Sequence, residues 1–95
     1  MMAPRITLDQ WAALAAVVEA GSYSKAAAKL HKGQSSVTYG VQQLESQLGV
    51  KAFRIDGRKA VLTPTGELLY RRARHLLDEA ASLEQASTRD RKSVV

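Results

Sequence analysis

A mainly α-helical domain carrying one small β-hairpin is the fold that this 95-residue chain predicts. Three observations point to it. Residues 24–48, SKAAAKLHKGQSSVTYGVQQLESQL, divide into a short helical pattern, a tight corner and a longer helical pattern. Asp56-Gly57, a tight-turn dipeptide, separates two short runs, Val50 to Ile55 and Lys59 to Leu62. Thr63-Pro64 then opens a long stretch with a seven-residue apolar rhythm.

In chain order, Met1 to Ile6 is a lead-in, and Thr7 with Gln10 three residues on forms a capping box. The first helix should run to Ala20 and stop at Gly21. Leu8, Trp11, Ala15 and Val18 form one stripe, while Ala13 and Val17 make the far side apolar too. Two apolar faces imply one turned inward and one against another element or subunit. Gly21-Ser22-Tyr23 links to the second helix, which Ser24 is expected to cap and on which Ala26, Ala27 and Leu30 share a face. His31-Lys32-Gly33 is the corner, with Gly33 supplying the unusual backbone angles and the next N-cap.

The third helix, residues 34–48, has a core stripe of Val37, Val41, Leu44 and Leu48. Ser35, Thr38, Tyr39, Gln42 and Ser46 fall on the opposite side, which carries hydroxyls and amides and no formal charge. A merely solvated face would more often use Glu and Lys. Uncharged donors and acceptors on the helix after a tight turn suit base edges in a DNA major groove. The competing reading is an ordinary helical hairpin. Gly49 ends the helix, Val50, Ala52 and Phe53 point to the core, and the hairpin around Asp56-Gly57 forms a wing carrying Arg54, Arg58 and Lys59. Arginines there suit phosphates or a minor groove, against the plainer reading of a solvated charged loop.

The last helix should reach about Ser87, roughly 24 residues or 36 Å. Leu69, Ala73, Leu76, Ala80 and Leu83 make a heptad seam, and a helix this long needs a partner helix for its outer half. The predicted architecture is a winged helix-turn-helix over residues 1–63, a linker or dimerisation helix over 64–88, and a frayed polar tail over 89–95.

Fourteen Lys and Arg against nine Asp and Glu give a net +5, which favours an anionic partner. The excess is local. Residues 51–75 hold seven basic and two acidic residues, net +5, immediately after the third helix, where DNA phosphates would lie. Ser24, Lys25, Lys32 and Ser36 flank that helix as further candidate phosphate contacts. There is no cysteine, hence no disulfide or thiolate metal site. No apolar run reaches membrane-span length, and the start lacks the layout of a signal peptide, so a soluble, cytoplasmic chain is expected.

The blocks GSYSKAAAKL, QQLESQLGVKAF and LTPTGE, in this order and spacing, resemble the N-terminal DNA-binding domain of LysR-type transcriptional regulators. The resemblance covers residues 7 to about 88. It implies a winged helix-turn-helix whose linker helix pairs antiparallel with its mate, hence a homodimer on an interrupted inverted repeat of double-stranded DNA. An effector-binding domain normally follows, so a small-molecule effector is expected to act only through that missing C-terminal part. Gln34 matches the family's base-contacting glutamine, and Thr38 stands where a contacting serine is usual. The chain departs from the family at Ser35, near a common proline, and at Tyr39, a usual arginine. It departs also at Gly40, a usual glutamine, and at Ile55, where the wing arginine normally falls. Together Gln34, Ser35, Thr38, Tyr39 and Gln42 are the expected base contacts.

A protein-interaction module built on the long helix is the main rival. The uncharged face beside a separate basic wing argues against it, and salt-dependent retention on duplex DNA separates the two. RNA binding is disfavoured, since Phe53 and three tyrosines make no stacking platform. Catalysis is disfavoured as well. His31 and His75 lie 44 positions apart with no carboxylate at ligand spacing, and neither Ser35-Ser36 nor Gly57-Arg58-Lys59 sits in a catalytic or phosphate-loop frame. No metal or other cofactor is expected.

Overall fold

The computed structural model describes residues 5–57 and 59–94, with backbone alone for 88–94. Its elements are α1 (Leu8–Ala20), α2 (Tyr23–Leu30), α3 (Gln34–Leu48), β1 (Phe53–Asp56), β2 (Lys59–Leu62) and α4 (Pro64–Val94). This is the mainly helical, winged arrangement that the patterning predicts.

The capping box of α1 forms as expected: Thr7 Oγ1 accepts from the Gln10 amide at 3.1 Å, and Gln10 Oε1 accepts from the Thr7 amide at 2.8 Å. Gly21, at φ +88°, ends the helix. The expected stripe needs correction. Leu14 and Val17 are the fully buried residues, with Ala13, Ala15 and Ala16 beside them, whereas Leu8 is 49% exposed. The reason is that α1 packs on α2, α3 and α4 at once. Nearly its whole girth is enclosed, so a single stripe does not describe it. Its second apolar face is covered within the same chain.

Ser22, not Ser24, caps α2, its Oγ accepting from the Lys25 amide at 3.2 Å. The shift makes Tyr23 the first helical residue, and its ring meets Phe53 edge-on with centroids 6.1 Å apart. The corner also differs from expectation. His31 takes the left-handed conformation (φ +56°), whereas Gly33 caps α3 in ordinary extended geometry (φ −70°). Along α3, Val37, Val41 and Leu44 are buried, but Leu48, last in the stripe, is 42% exposed because the stripe outruns the core. Gly49 (φ +68°) and the Val50 amide, donating to the Glu45 carbonyl at 3.1 Å, turn the chain back.

The hairpin pairs Phe53 with Leu62, Arg54 with Val61, Ile55 with Ala60 and Asp56 with Lys59. Asp56 therefore belongs to the strand rather than to the centre of the turn. Thr63 starts α4, its Oγ1 accepting from the Gly66 amide at 3.0 Å. The helix then runs through Val94, where the sequence pattern predicts fraying after residue 88. Its 31 residues span about 46 Å. Only the first turns join the core, through Ala73 and Leu69.

One carboxylate ties three helices. Glu19 on α1 accepts from Lys29 Nζ of α2 at 2.9 Å, and from the Tyr70 hydroxyl at 3.0 Å and Arg74 at 3.2 Å on α4. The Lys29 contact, the largest cause, with help from Tyr70 and Arg74, lowers the Glu19 pKa. A depressed carboxylate stabilises the fold above its unfolded pKa, and that contribution fades as pH falls through the folded value. Acid unfolding of Glu19→Gln should therefore show a smaller loss of stability between neutral and acidic pH than the parent, read by urea unfolding across pH.

Two glycines should respond oppositely to alanine. At Gly40 an added Cβ meets only the Ala13 Cβ at 3.8 Å, ordinary contact, so Gly40→Ala should stabilise by about 0.5–1 kcal/mol through helix propensity. At Gly66 the same atom would overlap the backbone carbonyl of Ala52, and Gly66→Ala should cost about 1–3 kcal/mol, as overpacking does. Denaturant midpoints of the two variants check both signs.

Candidate nucleic-acid interface

The interface is built on α3. Burial of Val37, Val41 and Leu44 fixes the helix's rotation, which turns Gln34, Ser35, Tyr39 and Gln42 to solvent with Thr38 half-buried between them. These five side chains line one shallow depression. Tyr39 is 63% exposed, so its phenol stands free of the core. From Gln34 to Gln42 the helix carries no charge, and what it presents are amides and hydroxyls. Gly33 places no side chain over the start of α3, which leaves the positive end of the helix dipole without a side-chain cap, while the Ser36 amide donates to the Gly33 carbonyl at 3.1 Å. Ser24, Lys25, Lys32 and Ser36, expected to hold phosphates, are all exposed on α2, on the corner and in the first turn of α3.

The wing is attached to α3 by a buried carboxylate that the sequence reading passed over. Glu45 is only 9% exposed and accepts from the Ala52 amide at 2.7 Å and the Phe53 amide at 3.3 Å. Burial raises the Tyr23 pKa, and the neighbouring Glu45 carboxylate adds to that rise. Glu45 keeps its charge out of water by holding two backbone donors, which is the condition for burying a carboxylate at all. A charged residue at an inward position beside the Val41–Leu44 stripe was the available signal.

Alternation from Phe53 assigns the faces of the hairpin. Phe53, Ile55, Ala60 and Leu62 share one side, and Arg54, Asp56, Lys59 and Val61 share the other. Phe53, Ala60 and Leu62 join the core, so Arg54 and Lys59 look outward and are exposed. Ile55 lies on the inner side yet reaches beyond the core and is 65% exposed. Arg58 lies outside the described residues.

The five expected seam residues of α4 differ in exposure within the single chain. Ala73 is 2% exposed and Leu69 half-buried, both packed on their own core, and Ala80 is half-buried. Leu76 and Leu83 face solvent. Within the single chain, the Ala73 edge of the expected seam packs on the domain's own core. Among the described residues, no three His, Asp or Glu approach closely enough to hold a metal ion, and no helix is long and apolar enough to cross a membrane.

Comparison with known proteins gives a consistent set. Residues 8–67 match the family described as "Bacterial regulatory helix-turn-helix protein, lysR family". The chain is 38% identical over 89 residues, 94% of its length, to the Escherichia coli protein named "Uncharacterized HTH-type transcriptional regulator YeiE", of which it covers 30%. Among solved structures it resembles a mutant of OxyR from Corynebacterium glutamicum, with a TM-score of 0.85 and 33% identity, covering 90% of this chain and 26% of that one. It also resembles the BenM DBD in its complex with benA site 1 DNA, with a TM-score of 0.82 and 31% identity, covering 87% of this chain and 96% of that one.

Removing the wing's anchor tests its role. Glu45→Ala should leave the Ala52 and Phe53 amides without an acceptor and cost about 1–3 kcal/mol. Hydrogen exchange at those two amides should accelerate more than at α1 amides. Unchanged protection at both would mean that the wing is held by other contacts.

Proposed function

The chain belongs to the lysR family of bacterial regulatory helix-turn-helix proteins, and from that premise we propose that it binds double-stranded DNA sequence-specifically, as the DNA-binding portion of a transcription regulator acting as a homodimer. It spans 30% of the length of YeiE, so an effector-binding part belongs to the proposal only as something that would lie beyond these 95 residues. The assignment of residues 1–63 to reading, and of residues 64–88 to assembly, is part of the same proposal.

The observation that carries it is the exposed, uncharged face of α3. Gln34 lies at the start of the helix, where a side-chain amide can bond bidentately to an adenine edge. Thr38 and Tyr39 stand one turn on, with hydroxyls and, from Thr38, a methyl suited to thymine. Ser35 and Gln42 complete the set. Arg54 and Lys59 on the outward face of the wing, with Ser24, Lys25, Lys32 and Ser36 around the start of α3, supply phosphate contacts; Arg58 is assigned to the wing from sequence alone. Such a division is what duplex recognition requires: charges hold the backbone and neutral groups read the bases. The BenM DBD, similar over nearly its whole length, was solved in complex with benA site 1 DNA, which supports the same use of this fold.

Selection of bound sequences from random duplex DNA would define the site and test the proposal together. On the selected site, Gln34→Ala should relax preference at one position per half-site, cost about 1–3 kcal/mol and leave the salt dependence nearly unchanged. Arg54→Ala should weaken selected and random DNA alike and reduce the salt slope by about one. If both variants lowered the two affinities by one common factor, Gln34 would be a positioning residue, and reading would pass to Thr38, Tyr39 or Gln42. No enrichment and no salt-dependent retention would overturn DNA binding itself.

A further inference from the structure

The outermost line of α3 runs through Ser35, Tyr39, Gln42 and Ser46, all of them exposed. At 100° per residue these four fall within an arc of about 60°, on the side away from Val37, Val41 and Leu44. Tyr39 alone among them brings an aromatic ring. It lies about 140–160° around the axis from each of the three buried residues, and so points more squarely outward than Gln34 or Thr38. The residue is 63% exposed, and its hydroxyl makes no hydrogen bond among the described residues. The charge inventory of the helix is equally plain. Residues 34–48 include neither arginine nor lysine, and their one charged side chain, Glu45, is buried.

When a helix is seated in the major groove, the line opposite its core contacts meets the groove floor, where the base edges lie, and the phosphates form the walls. Of the four bases, thymine alone presents an apolar group there, its 5-methyl. Guanine presents two acceptors, and its bidentate readers are arginine and lysine, which α3 lacks. We infer that Tyr39 determines the base preference of α3 by setting its ring against a thymine methyl, so that the pairs at the centre of each half-site are A·T. The inference rests on the reading of duplex DNA by α3 proposed above and names the base class which that face selects. Gln42 stands nearly one turn further on the same line, and its amide offers an adenine edge both a donor and an acceptor. The neighbouring pair is thereby read in the same A·T code. Guanine under Tyr39 would meet one hydroxyl donor and keep a second acceptor shielded from water without a partner. Cytosine would offer the hydroxyl a donor but the ring no apolar surface.

The test starts from duplexes that the 95-residue chain selects out of random DNA. Each thymine of the selected half-site is then replaced in turn by uracil, which removes the 5-methyl and alters no atom of the protein. At one central thymine the replacement should weaken binding about three- to fivefold, the worth of one buried methyl. Against Tyr39→Ala the same replacement should change affinity by less than about 1.5-fold, because the ring that met the methyl is gone. Tyr39→Phe should keep the parent's uracil effect, since the ring and not the hydroxyl makes the contact. Tyr39→Arg should draw guanine into that position when selection is repeated. Circular dichroism should be unchanged in all three variants, because Tyr39 lies outside the core. Equal uracil losses in the parent and in Tyr39→Ala at every thymine would overturn the inference and leave DNA binding standing. So would a central guanine selected by the parent, with 7-deazaguanine at that position weakening binding. Failure to enrich any sequence would overturn the reading role of α3, and this inference with it.

Discussion

A single residue, Ala52, holds the reading helix, the wing and the long helix to one another through its backbone. Its N–H donates to the buried Glu45 carboxylate of α3 at 2.7 Å. Its carbonyl accepts from the Thr63 amide at 3.0 Å and from Thr63 Oγ1 at 3.3 Å, at the start of α4. Thr63 Oγ1 also donates to the Lys51 carbonyl. Gly66 is glycine because α4 passes so close to that carbonyl that a Cβ could not be placed. With the Ala52 side chain itself fully buried, three elements converge on one residue, and none can rotate without breaking a hydrogen bond or opening a void. That constraint gives the outward groups of the wing a fixed relation to the uncharged face of α3.

Glu19 repeats the arrangement at the other side of the domain in a softer form. Its partners come from α2 and α4, but the three contacts are accessible to solvent and individually weak. Their value lies in placement. Lys29 lies in the last turn of α2, two residues before the left-handed His31 that turns the chain into α3, so the carboxylate links the corner of the reading unit to the helix proposed for assembly. The buried Ala52 joint supplies rigidity, and the Glu19 contacts supply orientation that responds to acid.

The sequence reveals the elements because each carries a local rule: the Thr7–Gln10 capping box, the glycine stops at Gly21 and Gly49, the turn at Asp56-Gly57 and the Thr63-Pro64 start. It reveals the outward face of α3 because that face is the complement of a clean apolar stripe. What it hides is tertiary. The enclosure of α1 by three helices defeats a single-stripe reading and buries Leu14. The choice between Ser22 and Ser24 as cap turns on where Tyr23 packs against Phe53. Glu45 sits beside the apolar stripe of α3, but the two backbone donors that let it be buried are supplied only when the chain folds back over it. The heptad on α4 runs unbroken through Ala73, and only the three-dimensional packing shows that α1 has taken that edge.

That last point carries the most weight for function. One helix bears two surfaces: Gly66, Leu69 and Ala73 face the domain's own core, while Leu76 and Leu83 further along are exposed. Because both belong to the same helix, the angle between the reading face and the exposed leucines is set by helix geometry, at about 100° and 1.5 Å per residue. No hinge intervenes between the joint at Ala52 and Leu76. The dimer proposed through α4 would hold its two reading faces at a distance determined by where along α4 the two-fold axis falls. Moving that axis by one heptad would displace the faces relative to each other by roughly 20 Å, more than half a turn of DNA. Register along α4 would therefore itself determine which DNA two reading faces can span.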